Sequence, residues 1–139
     1  MKTVFLDTNV VIDFLAARAD YIEDAAKIMT LAFEKEIKIF ASALTFSTAS
    51  YILAKHHANT AENIRLTIAD FIKICNVTVV DEESVKFATE GVFDDFEDAM
   101  QYDSAKRINC EVIVTRNPDD FKNSEIAVMM PSEFLNSFV

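Results

Sequence analysis

An α/β fold, with a mainly parallel sheet of four to five strands covered by helices on both faces, is what this sequence predicts, and three observations predict it. Short apolar runs alternate with longer stretches whose apolar residues recur at helical spacing. One Gly (Gly91) and two Pro (Pro118, Pro131) interrupt 139 residues, which favours helices joined by short loops. Carboxylates, amides and hydroxyls follow directly on the apolar runs, at what would be the carboxyl edge of such a sheet, where ligands bind.

The elements follow in order. Lys2–Leu6 reads as a buried strand and Asn9–Ala17 as a short helix. Tyr21–Glu36 places Ile22, Ala25, Ala26, Met29 and Phe33 at helical spacing. Ile37–Ala41 is a short apolar strand. Ser42 and Thr45 are both able to cap the helix that runs to about His57. Thr60 starts a further helix carrying Ile64, Ile68 and Phe71. Val77–Val80 has strong β-branched strand character. Asp81-Glu82-Glu83 is a good helix start, and another helix spans Asp95–Ile108. Glu111–Val114 and Ile126–Met129 complete the strands, and Pro131-Ser132-Glu133 opens a terminal helix.

The bulk properties narrow the class. A chain of 139 residues is expected to form one domain and can bury a real core without disulfides. No apolar run approaches the roughly 20 residues that span a membrane, and the N-terminus lacks a signal-peptide pattern. Cys75 and Cys110 lie in unrelated apolar segments, as expected for reduced core thiols of a cytoplasmic protein. His56 and His57 are adjacent, so on a helix they diverge and make a poor pair of ligands for one metal. A net charge of −10 argues against broad, non-specific binding to a phosphate backbone.

Oxygen-bearing side chains converge on one edge from four segments. They are Asp7 and Asn9 after the first strand, Ser42, Thr45 and Thr48 after the second, the Asp94–Asp98 cluster, and Thr115, Asn117 and Asp120 after the fourth. Each has a bland role available, as a helix cap, a complement to a helix dipole or a turn residue beside Pro118. Together they form the all-oxygen donor set that hard cations such as Mg²⁺ or Mn²⁺ take, and no Cys or His joins them to favour zinc. A buried bare Asp7 would be costly, so it is expected either to cap a helix or to bind a cation.

The order Leu6-Asp7-Thr8-Asn9-Val10-Val11-Ile12-Asp13, then Asp95-Phe96-Glu97-Asp98-Ala99, then Val114-Thr115-Arg116-Asn117-Pro118-Asp119-Asp120-Phe121, resembles the PIN domain, and the resemblance covers essentially the whole chain. It implies one domain over residues 1–139 with a three-layer α/β/α Rossmann-like sandwich. It further implies ribonuclease activity dependent on one or two Mg²⁺ or Mn²⁺ ions. Many small members resemble the toxin half (VapC-like) of a toxin–antitoxin pair, which implies an antitoxin protein partner and a homodimer beside the RNA substrate. By position, Asp7, Asp98 and Asp120 are the implied catalytic and metal-binding acids, with Asn9, Thr115 and Asn117 in support. Asn117 falls where many members carry a fourth acid. Thr48 stands where a Glu is usual, and no acid occurs from Phe40 to Asn59.

The resulting expectation is hydrolysis of RNA phosphodiesters, with Asp7 and Asp98 holding the cation. Arg116 is a candidate phosphate contact, and Lys55, Arg65, Lys106, Arg107 and Lys122 are candidates to rim the site. The competing reading is a catalytically weakened module of the same fold that acts by binding protein or RNA, which the missing Glu favours. A phosphotransfer enzyme using Asp7 as acceptor is disfavoured, because Asn9 and Arg116-Asn117 stand where a second Asp and a Lys are wanted.

Overall fold

The computed structural model describes residues Met1–Phe138. Strands β1 (Lys2–Leu6), β2 (Ile37–Ser42), β3 (Cys75–Thr78), β4 (Val112–Val114) and β5 (Ala127–Met129) form one sheet in the order β3-β2-β1-β4-β5. Every neighbouring pair is parallel. Helices α1 (Thr8–Leu15), α2 (Ile22–Phe33), α3 (Ala43–His56), α4 (Ala61–Phe71), α5 (Glu82–Thr89), α6 (Phe96–Arg107) and α7 (Pro131–Ser137) complete the chain, with a 3₁₀ turn at Pro118–Phe121. Among the described residues, no helix is long and apolar enough to cross a membrane.

Alternation along the strands assigns the helices to two layers. Val4 and Leu6 of β1, Ile37, Ile39 and Ala41 of β2, and Val112 and Val114 of β4 pack with Val10, Val11, Ile28, Met29 and Phe134 on one face. The intervening Phe5 and Ile113 pack on the other face with Ala88, Ala99, Tyr102, Ala105 and Phe121. A period of two along each strand therefore feeds two cores, and the sheet is buried on both sides, as parallel sheets require.

The register sets where polar groups emerge. Leu6 lies beside Val114, Ser42 beside Thr78, and Val114 beside Met129, so these strands end along one edge. The chain first builds outward from central β1 to β2 and β3, then crosses to β4 and β5 on the other side. The strand order therefore reverses beside β1, which opens a crevice at the carboxyl ends of β1 and β4. Two backbone bonds extend the ladder past the strands: Asp7 N–H donates to the Val114 carbonyl at 3.0 Å, and Thr115 N–H to Met129 at 3.0 Å.

The expected elements are present, with boundary corrections. The third strand spans Cys75–Thr78 rather than Val77–Val80. Pairing starts where buried Cys75 lies opposite Ile39, whereas Val77 and Val79 face outward on the sheet edge. Val77 and Thr78 are paired while Val79 and Val80 lie beyond the ladder, so the β-branched run overshoots the strand and the paired span starts earlier. The first helix begins at Thr8 rather than Asn9, because the Asp7 side chain accepts from Thr8 N–H and so caps it. Cys75 and Cys110 are free, buried thiols, pushed by burial up to about 12 and about 11.

Phe121 anchors the 3₁₀ turn that carries Asp120. Its ring is buried edge-on to Phe93, with centroids 6.0 Å apart. Phe121→Ala is expected to lower stability in denaturant unfolding by about 3–5 kcal/mol, through lost burial and a cavity beneath the turn.

Candidate active site

Asp7 stands at the centre of the crevice. It is 5% exposed and its carboxylate is held on every side. Oδ1 accepts from Thr8 N–H (2.7 Å) and from the Gln101 amide (3.1 Å). Oδ2 accepts from the Thr115 hydroxyl (2.7 Å) and the Asn9 amide (3.2 Å). A carboxylate offers about four lone-pair positions, so this one is fully hydrogen-bonded. Burial still pushes its pKa up, and Asp120 adds to that push, while the bonds from Thr115, Thr8 and Gln101 oppose it.

Gln101 is the residue that sequence reasoning missed. It lies three positions after Asp98, on the same face of α6, and is 1% exposed. Its carbonyl oxygen accepts from the hydroxyls of Ser42 (3.0 Å) and Thr45 (3.3 Å). Its amide donates to Asp7 and, at 2.9 Å, to the Thr8 hydroxyl, which is itself 2.8 Å from that of Thr45. One side chain thus ties α6 to the ends of β1 and β2. The available signal was a polar residue on the apolar side of a helix, at i+3 from the candidate acid.

Beside this network lies an open cleft of about 360 Å³, lined by Asp7, Asn9, Arg18, Thr48, Asp98 and Asp120 among others. Asp98 is half-buried near the start of α6, whose cap Asp95 accepts from Asp98 N–H at 2.9 Å. Its carboxyl is pushed up to about 7, first by burial and then by the charges of Asp95, Asp7, Asp120 and Glu97. Glu97 is also raised, by burial and then by Asp95 and Asp7. Asn117 and Asp120 are exposed, and Asn117 N–H donates to the Thr115 hydroxyl at 3.0 Å. Thr48 and Asn9 are partly buried on the cleft wall.

This cleft holds Asp7, Asp98, Asp120, Asn9, Asn117 and Thr48, and Thr115 sits behind Asp7. It does not hold the proposed phosphate contact. Arg116 turns away: its Nε donates to Asp13 Oδ2 at 2.7 Å and its Nη2 to Asp13 Oδ1 at 3.3 Å, while its guanidinium lies 3.8 Å from the centre of the Tyr21 ring. A bidentate pair, stacked on an aromatic face, outcompetes solvent for this cation. None of the suggested rim cations lines this cleft, although Lys122 lines an adjoining pocket that shares Asp95, Asp98 and Asp120, and two of the others are engaged elsewhere. Arg107 binds Asp81 and Asp103, and Lys106 binds Glu125.

The donors suit a hard cation in type, since every charged ligand is a carboxylate and they repel one another. Among the described residues, no three carboxylate, imidazole or thiol groups close into a ready-made metal cage. A cation held here would have few protein ligands and would keep much of its water shell, as Mg²⁺ does.

Fold and geometry define an α/β protein with a carboxylate cleft at the switch point of a parallel sheet. Residues 3–119 match the PIN domain, and the chain belongs to the PIN domain family. It is 25% identical over 135 residues to Ribonuclease VapC1 of Aquifex aeolicus (strain VF5), covering 96% of this chain and 93% of that protein. Among solved structures, it resembles a toxin–antitoxin complex from Klebsiella pneumoniae, with a TM-score of 0.66 and 20% identity over 92% of this chain and 97% of that one. It also resembles VapBC2 from Rickettsia felis, solved with a fragment of promoter DNA, with a TM-score of 0.64 and 17% identity over 91% and 96% of the two chains.

Two outcomes follow from the site. Gln101→Leu keeps the volume but strands the hydroxyls of Ser42 and Thr45 and strips a donor from Asp7; denaturant unfolding should show a loss of about 3 kcal/mol. The raised carboxyl of Asp98 favours the protonated folded state. Its contribution is therefore greatest below the unfolded pKa near 3.8 and is lost as pH rises to about 7. In metal-free buffer, Asp98→Asn should raise the melting temperature at pH 8, and this gain should shrink toward pH 5.

Proposed function

We propose that this protein is a Mg²⁺- or Mn²⁺-dependent ribonuclease and the toxin of a toxin–antitoxin pair, with Asp7 and Asp98 as the acids that hold the ion and Asp120 assisting. The observation that carries this reading is the meeting of buried Asp7 with half-buried Asp98 in one open cleft, where burial first, and then the charges of Asp95, Asp7, Asp120 and Glu97, push Asp98 up to about 7. Such a cleft gains most from a cation. Likeness to Ribonuclease VapC1, and to proteins solved as toxin–antitoxin complexes, supports the substrate class and the protein partner. We further propose that the protein works in the cytoplasm and self-associates.

When bound, the ion would neutralise charge on the scissile phosphate and lower the pKa of an attacking water. The chain supplies the rest. Thr8, Thr115 and Gln101 fix both oxygens of Asp7, so its orientation costs nothing on loading. Asn9 makes the longest of the four bonds to Asp7 and lies on the cleft side, so its amide is the donor that yields to a cation. To hold an ion the Asp98 carboxyl would have to give up its proton, so affinity should rise with pH up to about 7. Asn117 and Asp120, on the exposed turn after β4, are available to waters of the ion.

A second reading, a binding module with weakened catalysis, is favoured by Thr48, which brings a methyl and a hydroxyl to the cleft wall in place of a carboxylate. The two readings separate by experiment. With Mn²⁺, wild type should cleave RNA, and Asp7→Asn and Asp98→Asn should each reduce cleavage at least about 100-fold, in line with loss of a charged group that stabilises the transition state. Absence of cleavage by wild type, together with intact RNA or protein binding, would establish the module instead. Thr48→Glu should tighten Mn²⁺ binding in calorimetry; an unchanged affinity would show that Thr48 does not face the ion.

A further inference from the structure

The cleft contains one cation among the residues that line it, Arg18, and its position is set by the end of α1. Arg18 N–H donates to the Asp13 carbonyl (3.0 Å) and Ala17 N–H to that of Phe14 (3.1 Å), with Ala17 at φ 48°. This is a Schellman closure, with alanine in the left-handed position that glycine usually fills. The motif brings the residue after the turn back over the last turn of its helix. Here that apposition sets Arg18 against Asp13, with Nη1 3.4 Å from Oδ1.

Asp13 is already engaged. Its side chain is 2% exposed, and Arg116 holds both of its oxygens, through Nε at 2.7 Å and Nη2 at 3.3 Å. One buried carboxylate therefore serves two guanidiniums, and the group carries a net positive charge. The surplus belongs to Arg18. Arg116 is stacked against Tyr21 outside the acid cleft, whereas Arg18 makes the longer single contact, keeps 33% of its side chain exposed and lines the cleft with Asp7 and Asp98. The Arg18 backbone is fixed on both sides, since its carbonyl also accepts from Tyr21 and Ile22 N–H. A pre-placed guanidinium with free donors, beside an otherwise acidic cleft, fits an anion delivered by the substrate.

We propose that Arg18 forms a phosphate subsite for the RNA strand, binding a phosphate next to the one at the acids and so drawing a polyanion into a cleft of negative charge. The subsite rests on the ribonuclease reading for its ligand, and it assigns to Arg18 the contact that sequence alone suggested for Arg116.

The test is fluorescence anisotropy with a labelled single-stranded RNA, in Ca²⁺ to suppress turnover, alongside cleavage in Mn²⁺. Arg18→Gln should weaken RNA binding about five-fold or more and flatten the slope of log affinity against log salt by about 0.7, the value of one phosphate contact on a single strand. KM should rise while kcat changes little, and Arg18→Lys should restore the slope. Asp13 keeps Arg116, so the melting temperature of Arg18→Gln should stay close to wild type. Unchanged affinity and slope in Arg18→Gln, or a wild type that does not bind RNA, would overturn the subsite. So would a variant that binds RNA normally but loses a protein partner. A wild type that binds RNA through Arg18 yet cuts none in Mn²⁺ would uphold the subsite and refute the ribonuclease reading.

Discussion

The Asp7 carboxylate, buried at the end of the central strand and hydrogen-bonded from every side, is the constraint on which the site depends. An ionised carboxylate so far from water is costly unless its lone pairs are met. The donors come from α1, α6 and the segment after β4, and the same Gln101 amide reaches on to the end of β2 through Ser42 and to the first turn of α3 through Thr45. Meeting the demand of one oxygen pair therefore fixes the relative positions of these strand ends and helices. Among the described residues, no buried side-chain nitrogen or oxygen lacks a partner, so this polar centre is completed rather than strained.

Around that fixed centre, the second set of acids is left in conflict. Asp95, Glu97 and Asp120 add charge to a cleft that Asp7 already makes negative, and burial together with these charges pushes the Asp98 carboxyl up to about 7. A satisfied carboxylate behind and repelling carboxylates in front make a division of labour. Asp7 is held in orientation by its donors, and the clustered acids in front of it leave the cleft negative. The strand order produces this division, because reversal beside β1 is what lets segments after β1, β2 and β4 share one crevice.

Much of this was legible in the sequence. A buried strand followed by Asp7 and Asn9, and another followed by Thr115 and Asn117, locate the crevice, since parallel strands deliver their carboxyl ends to one edge. The role of Gln101 was not legible, because a buried amide on a helix acquires meaning only when the hydroxyls it meets, 56 and 59 positions away, are known to be adjacent. The pairing of Arg116 with Asp13, 103 positions apart, was hidden for the same reason. The third strand was misplaced by two residues because β propensity reports a preference for extended chain, whereas pairing depends on a neighbour. Tertiary partners decide each of these cases, and local sequence does not encode them.

The central claim is that Asp7 and Asp98 jointly hold a divalent cation. Crystals soaked in Mn²⁺ and measured at the manganese absorption edge test it most directly. The account predicts an anomalous peak in the cleft, within coordination distance of carboxylate oxygens of both Asp7 and Asp98, with the Asn9 amide turned away from Asp7. A cleft without a peak at millimolar Mn²⁺, or a peak bound by other acids with the Asp7 network unchanged, would contradict it.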